Sequence, residues 1–308
     1  GALAGFGGAR YDYYRVAADV IGEHPVRGVG ADNFAQDYAA RGRALEFPSY
    51  VHSIELRTLV HTGAVGALLL ALALAAALLA AWRAARTGPV ANAAAVAGVM
   101  VFAHWFVQGS ADWFWEFPAL GGAAFAMLGV ACAVAPGRDV RARPQAPRRG
   151  RSLTAVAGGA LVALCCLSLG APWASAILTE RAGRVWTIHE GAAFRQLDVA
   201  ARLNPLSSRP ALTEGTIALR LNRLDRARSA FEQALERDPR EAYATLALGA
   251  IASQHDRGRA LVYLRRAVRL NRQDSVTIGA LQTVRAGQPV DIPAMLMAFE
   301  KLAADARR

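Results

Sequence analysis

The polar side chains Arg10, Arg15, His24, His52, Glu55, Arg57, His61, His104 and Asp112 stand beside, between or near the ends of long apolar stretches of the chain, and their types suit one kind of chemistry. An Arg guanidinium is always charged and grips phosphate oxygens in a two-pronged manner, which suits a polyanionic leaving group. An imidazole titrates near neutrality and is the natural base for an attacking hydroxyl. No carboxylates cluster as ligands for a divalent cation on a diphosphate, and no Cys/His spacing fits a zinc site. Cys132, Cys165 and Cys166 all fall within apolar stretches and read as small apolar residues. No metal and no cofactor is expected.

Elements that hold such residues follow from the charge pattern. The 308 residues are 54% hydrophobic, with 35 basic against 24 acidic side chains and a net charge of +11. Four stretches, Thr58 to Trp82, Thr87 to Ala111, Phe117 to Gly137 and Ser152 to Thr179, contain no Asp, Glu, Lys or Arg. Each reaches the ~20 residues that cross a bilayer core. Spans are therefore expected over roughly 59–82, 89–108, 118–136 and 153–177, and a fully soluble chain is excluded. The mean hydropathy of +0.21 understates this because the C-terminal part is polar.

Orientation follows from the links. Arg83 and Arg86 separate the first two spans; Arg138, Arg141, Arg143, Arg148, Arg149 and Arg151 separate the third and fourth, against Asp139 alone. The positive-inside rule makes both links cytoplasmic. Residues 1–57, the link carrying Asp112 and Glu116, and everything beyond 178 then lie outside. Trp105, Trp113, Trp115 and Phe117 gather at the outer link, as an interfacial aromatic belt does. Positive charge so placed argues against nucleic acid as its target.

Within residues 1–57, apolar side chains at helical spacing predict a helix over Arg10–Ile21 that stops at Gly22-Glu23-His24-Pro25, since proline disfavours helix at the residue before it. Gly28-Val29-Gly30 reads as a turn, Ala31–Arg41 as a second short helix, and Pro48 as a break. Beyond Glu180 three phrases recur, ending at Asn204-Pro205, Asp238-Pro239 and Asn271-Arg272, with spacings of 34 and 33 residues. That is the period of tetratricopeptide repeats, and small residues such as Gly215, Ala234, Gly249 and Ala267 stand where paired helices approach closely. The alternative is a generic array of helical hairpins. Either builds a concave surface suited to a protein partner.

Two strings in the outer segment carry a further signal. One runs from Arg10 through His24-Pro25, Gly28, Gly30 and Phe34; the other runs from His52 through Gly63 and Gly66. Together with His104 to Asp112 they resemble the O-antigen ligase and polymerase family, polytopic enzymes that transfer glycans from undecaprenyl-diphosphate carriers. The resemblance covers about residues 8–136. It departs at Ser53, where Asn is usual, and at His61, near a usual acidic position.

The resemblance implies an all-α polytopic bundle in the bacterial cytoplasmic (inner) membrane. That bundle is the C-terminal part of a GT-C-like fold whose upstream spans are missing from this chain, which opens without Met in what reads as mid-protein. The expected division is an outer loop at 1–57, three spans within 58–136, an Arg-rich link at 137–152, a fourth span at 153–178, and an extracytoplasmic repeat domain at 179–308. The implied reaction is metal-independent transfer of a glycan from its undecaprenyl-diphosphate carrier to a lipid or glycan hydroxyl, in building cell-envelope polysaccharide. By resemblance His52 is the base and Arg10 contacts the diphosphate, while Arg15, Arg57 and Glu55 are placed as substrate-binding residues. The competing readings are a non-enzymatic membrane-anchored repeat scaffold and a protein O-oligosaccharyltransferase.

Overall fold

The structure, a computed structural model, describes residues 4–43, 48, 50–112, 114–133 and 148–305. The Arg-rich link up to residue 147 and Trp113 lie outside the described residues. Among the described residues every regular element is helical. The first unit, before Gln145, holds α1 (Ala4–Glu23), α2 (Phe34–Arg41), α3 (Ile54–Ala85), α4 (Pro89–Gly109), a single 3-10 turn at Phe114–Glu116 and α5 (Pro118–Ala133).

α1 buries Tyr13, Val16, Ala17 and Val20, which follow the i, i+3, i+4, i+7 spacing of one helix face. They pack on Phe34 and Tyr38 of α2, on Val51 and on Val60. α1 stops at Glu23, where the proline signal predicts. α2 starts three residues later than its sequence reading. Asp32 sits in the left-handed region at φ 62°, and Asn33 Nδ2 donates to the Val29 carbonyl at 2.7 Å, closing a tight loop first.

α3, α4 and α5 pack side by side. Ile54, Phe102, Trp105, Ala124 and Leu128 form one shared cluster, and Ala81, Ala95 and Ala131 form another. α4 and α5 approach so closely that a Cβ on Gly98 would stand 2.4 Å from the Met127 carbonyl oxygen, so the absence of a side chain there lets the two backbones meet. α3 and α4 are long and apolar enough to cross a membrane, and only 6% of the most apolar part of α3 is buried. Val65, Leu68, Leu69, Leu72 and Leu79 of α3 are exposed.

The second unit begins with α6 (Arg148–Val185) and continues through α7 (Glu190–Leu203), α8 (Arg209–Arg220), α9 (Leu224–Arg237), α10 (Ala242–Ala252), α11 (Arg257–Leu270), α12 (Ser275–Arg285) and α13 (Ile292–Asp305). α6 is one helix of 38 residues, about 57 Å long at 1.5 Å per residue. The apolar stretch expected to end at 178 runs without a break into the polar part. Ser175 Oγ already donates to the Ala200 carbonyl at 2.7 Å, so the last turns of α6 pair with α7.

From there consecutive helices pack on one another, α8 on α9, α9 on α10, α10 on α11 and α11 on α12. The three recurring phrases occupy equivalent places. Asn204, Asp238 and Asn271 end α7, α9 and α11 with nearly the same backbone angles, and each donates its N–H to a fully buried alanine's carbonyl, at Ala200, Ala234 and Ala267. A Cβ on Gly215 would meet the Phe231 ring at 2.7 Å, and one on Gly249 would meet Leu264 at 2.8 Å. The small residues are thus where a large side chain of the next helix must fit.

Candidate functional site

Gly63 breaks α3. Its φ of 64° and ψ of −165° interrupt the helical ladder, leaving carbonyls on one side and N–H groups on the other without helical partners. The turn after α1 supplies both sets. Val29 N–H donates to Val60 O at 2.8 Å and Gly30 N–H to His61 O at 3.0 Å, while Ala64 N–H donates to Pro25 O at 2.8 Å and Val65 N–H to Val26 O at 3.3 Å. No side chain fits in the contact: a Cβ on Gly28 would stand 2.4 Å from Val60 O, and one on Gly63 would stand 2.3 Å from the Val26 carbonyl. The glycines of the two sequence strings are therefore two halves of one joint. Gly28 and Gly30, at φ 63° and 91°, shape the turn that the joint requires.

This joint fixes the segment that carries His52. Ser53 Oγ accepts from Leu56 N–H and caps the start of α3. Half-buried His52 rests its ring edge-on against Tyr13, with centroids 5.4 Å apart, and its carbonyl accepts from Tyr14 Oη at 3.2 Å. Arg10 lies on the same face of α1 as these tyrosines, three and four residues earlier. It is exposed, and its Nη1 donates to the Ala111 carbonyl at 3.3 Å.

Glu55 and Arg57 tie the start of α3 to the α4–α5 connection. Glu55 accepts from Ser53 Oγ at 2.8 Å and from Ser110 Oγ at 2.5 Å. Arg57 pairs with Glu116 and stacks over the Tyr50 ring at 4.0 Å. Residues around 10–14, 50–57 and 110–116 are thereby brought together. Arg15 is turned elsewhere. It pairs with Asp12 at 2.8 Å and Asp19 at 3.3 Å and donates to the Arg41 carbonyl at 2.9 Å. Buried Asp12 also accepts from Tyr38 Oη at 2.8 Å and Arg43 N–H at 2.6 Å. The guanidinium of Arg15 thus neutralises a buried carboxylate and holds α1 to the end of α2. Arg41 continues this network with hydrogen bonds of 2.6 and 2.8 Å to Glu23, which hold that carboxyl below its usual pKa.

His61 is 8% exposed, with its ring centroid 6.3 Å from that of Tyr50, and its Nε2 has no hydrogen-bond partner among the described residues. Tyr13, Tyr14, Ser110 and Glu116 were not singled out from the sequence. The i+3, i+4 relation of the two tyrosines to Arg10 was the available signal. Ser110 and Glu116 gave none, because their partners lie more than fifty residues away. Among the described residues no three His, Cys, Asp or Glu side chains gather as metal ligands would.

No protein-family model matches the chain, and no curated protein matches it.

Proposed function

We propose that this chain is part of a membrane glycosyltransferase of the O-antigen ligase or polymerase kind, carrying an extracytoplasmic array of tetratricopeptide repeats. α3, α4, α5 and the apolar part of α6 are read as its spans, with the His52 segment at the outer face. The reading is supported by one observation above others. The segments that contain Arg10, His52 and the 110–116 link, far apart in sequence, share one place, anchored by the joint between Gly28–Gly30 and Gly63. These are the segments that carry the family resemblance.

In the proposed step the acceptor hydroxyl oxygen forms a bond to the anomeric carbon of the sugar as the bond from that carbon to the diphosphate oxygen breaks. The hydroxyl proton passes to the His52 imidazole, and the electron pair leaves with the diphosphate, whose added charge the Arg10 guanidinium meets. Tyr13 and Tyr14 orient His52 and are positioning residues. Glu55 and Arg57 act through the Ser110 and Glu116 contacts and shape the site. Arg15 acts on the site only through α1, which it holds to the end of α2. The test is transfer from an undecaprenyl-diphosphate-linked oligosaccharide by the intact protein, with chelator present. His52→Ala is expected to slow transfer on the order of 10²–10⁴-fold, the usual contribution of a general base. Full activity of that variant would overturn the assignment of the base, and loss of activity with chelator would overturn metal independence.

A further inference from the structure

α6 and α7 are joined by the four residues Trp186 to His189 and pack along each other. The Ser175–Ala200 hydrogen bond lies ten residues before the end of α6 and ten residues after the start of α7. The two helices are therefore a hairpin, and α7 returns along α6 toward its apolar stretch. Leu203 lies about 4.5 Å further down, near the level of Trp173, which is exposed on α6. The elbow that leads from there into α8 has its backbone tied. Asn204 N–H donates to Ala200 O at 3.1 Å, Ser207 N–H to Asn204 O at 3.2 Å, and Arg237 Nη1 to Ser207 O at 3.2 Å. Its outward side chains are nonetheless apolar: Val199 and Leu203 are exposed, and Leu206 is 88% exposed. The repeat framework does not require this. With Asn204, Asp238 and Asn271 aligned, the places of Val199, Leu203 and Leu206 are held by Gln233, Arg237 and Arg240 around the end of α9, and by Arg266, Leu270 and Gln273 around the end of α11. Of the three elbows, the one beside the apolar part of α6 is apolar at all three places.

We propose that the end of α7 and its elbow, Val199 to Leu206, rest in the lipid interface of the same bilayer that α6 crosses. The proposal rests on reading the apolar part of α6 as a span. Depth selects lipid as the occupant, because Ala200 is level with Ser175, which falls inside the charge-free stretch from Ser152 to Thr179. Single exposed apolar side chains are ordinary on a protein surface. Three that gather at that depth, and at no equivalent elbow, are not explained by that rule. Trp173 has the amphipathic ring that favours the same interfacial layer. Arg202 and Arg209, both exposed, flank the apolar residues, where long cationic side chains reach lipid phosphates while their stems stay in apolar surroundings. The paired backbone of the elbow removes the main cost of leaving water. The other end of the hairpin has no such surroundings: Ile188, 78% exposed, stands about 15 Å further out along α6. A second point of membrane contact fixes the tilt of the first repeat helices, which would otherwise follow α6 alone.

The test uses the full chain, with its native cysteines replaced, in vesicles of phosphatidylcholine containing one quarter phosphatidylglycerol. An environment-sensitive fluorophore is attached in turn to Leu206→Cys, Ile188→Cys and Leu164→Cys. All three side chains are exposed, so the substitutions remove no packing within the chain. The quenchers are aqueous iodide and lipids that carry a doxyl group at a shallow or a deep position of the acyl chain. The probe at 206 is expected to be quenched by the shallow doxyl lipid, and several-fold less by iodide than the probe at 188. Equal iodide quenching at 206 and 188, with no effect of doxyl lipid at 206, would overturn the proposal. Shielding from iodide without quenching by lipid would overturn it in favour of a protein surface, and loss of that shielding on dilution with empty vesicles would make that surface a second copy. The probe at 164 separates the elbow from the span. Quenching by the deep doxyl lipid at 164 with no lipid quenching at 206 counts against the elbow alone, whereas no lipid quenching at 164 overturns the span and the elbow together.

Discussion

Replacing Gly63 by alanine tests the joint on which the candidate site depends. At φ 64° and ψ −165° the residue occupies a region that is essentially glycine's alone, and an L side chain held there costs about 1–3 kcal/mol. The new Cβ would also stand 2.3 Å from the carbonyl carbon and oxygen of Val26. Those are backbone atoms that cannot rotate away, so the turn at 25–30 must shift. Four backbone hydrogen bonds hold that turn to α3. Each contributes about 0.5–1.5 kcal/mol net, so losing two of them adds about 1–3 kcal/mol. The local opening free energy should therefore fall by about 2–6 kcal/mol, which is roughly 30-fold to 10⁴-fold in the open population. Hydrogen exchange on the detergent-solubilised chain reads this directly at the amides of Val29, Gly30, Ala64 and Val65. Gly122→Ala is the control, because a Cβ there meets nothing within 4 Å and alanine favours helix. Unchanged protection of those four amides in Gly63→Ala would refute the joint.

Three further outcomes are expected. With the native cysteines replaced, a cysteine at Gln145 should be shielded from an impermeant maleimide in intact cells, while cysteines at Ala35 and Arg240 should react; shielding at Arg240 would invert the orientation deduced from the Arg-rich links. Arg10→Lys keeps the charge but loses the planar fork, so transfer should fall about tenfold, as expected for one charged hydrogen bond, with membrane insertion unchanged; normal transfer would remove Arg10 from the leaving-group role. Glu241, at the start of α10, has its carboxyl pKa raised by burial and then by Asp238. A raised pKa makes its contribution to stability complete below the usual carboxylate value and lost as pH rises through the raised one, so Glu241→Gln should melt like the parent in acid and higher than it near neutral pH. A difference in melting temperature that does not change with pH would refute this.

The elements that follow from local rules were legible in the sequence. Charge-free apolar stretches mark α3, α4 and α5 because burial in protein or lipid penalises charge in the same way. The stop of α1 follows from Pro25, and the ends of α7, α9 and α11 follow from a phrase repeated at 34 and 33 residues. What the tertiary structure decided depends on partners remote in sequence. A glycine within an apolar run reads as ordinary helix, and Gly63 leaves the helical conformation because Val29 and Gly30 arrive to satisfy the carbonyls that the break exposes. Arg15 resembles a solvated site residue until Asp12 is seen to be buried beneath it. The apolar pattern of α6 ends near residue 178 and its helix does not, since hydropathy reports the medium around a segment and the backbone ladder is indifferent to that change. Ile292, Met295, Leu296 and Phe299 form the packed face of α13. Only the fold shows that α8 and α10 supply the surface that buries it, because an apolar stripe is non-directional and specifies that it must be covered without specifying by what.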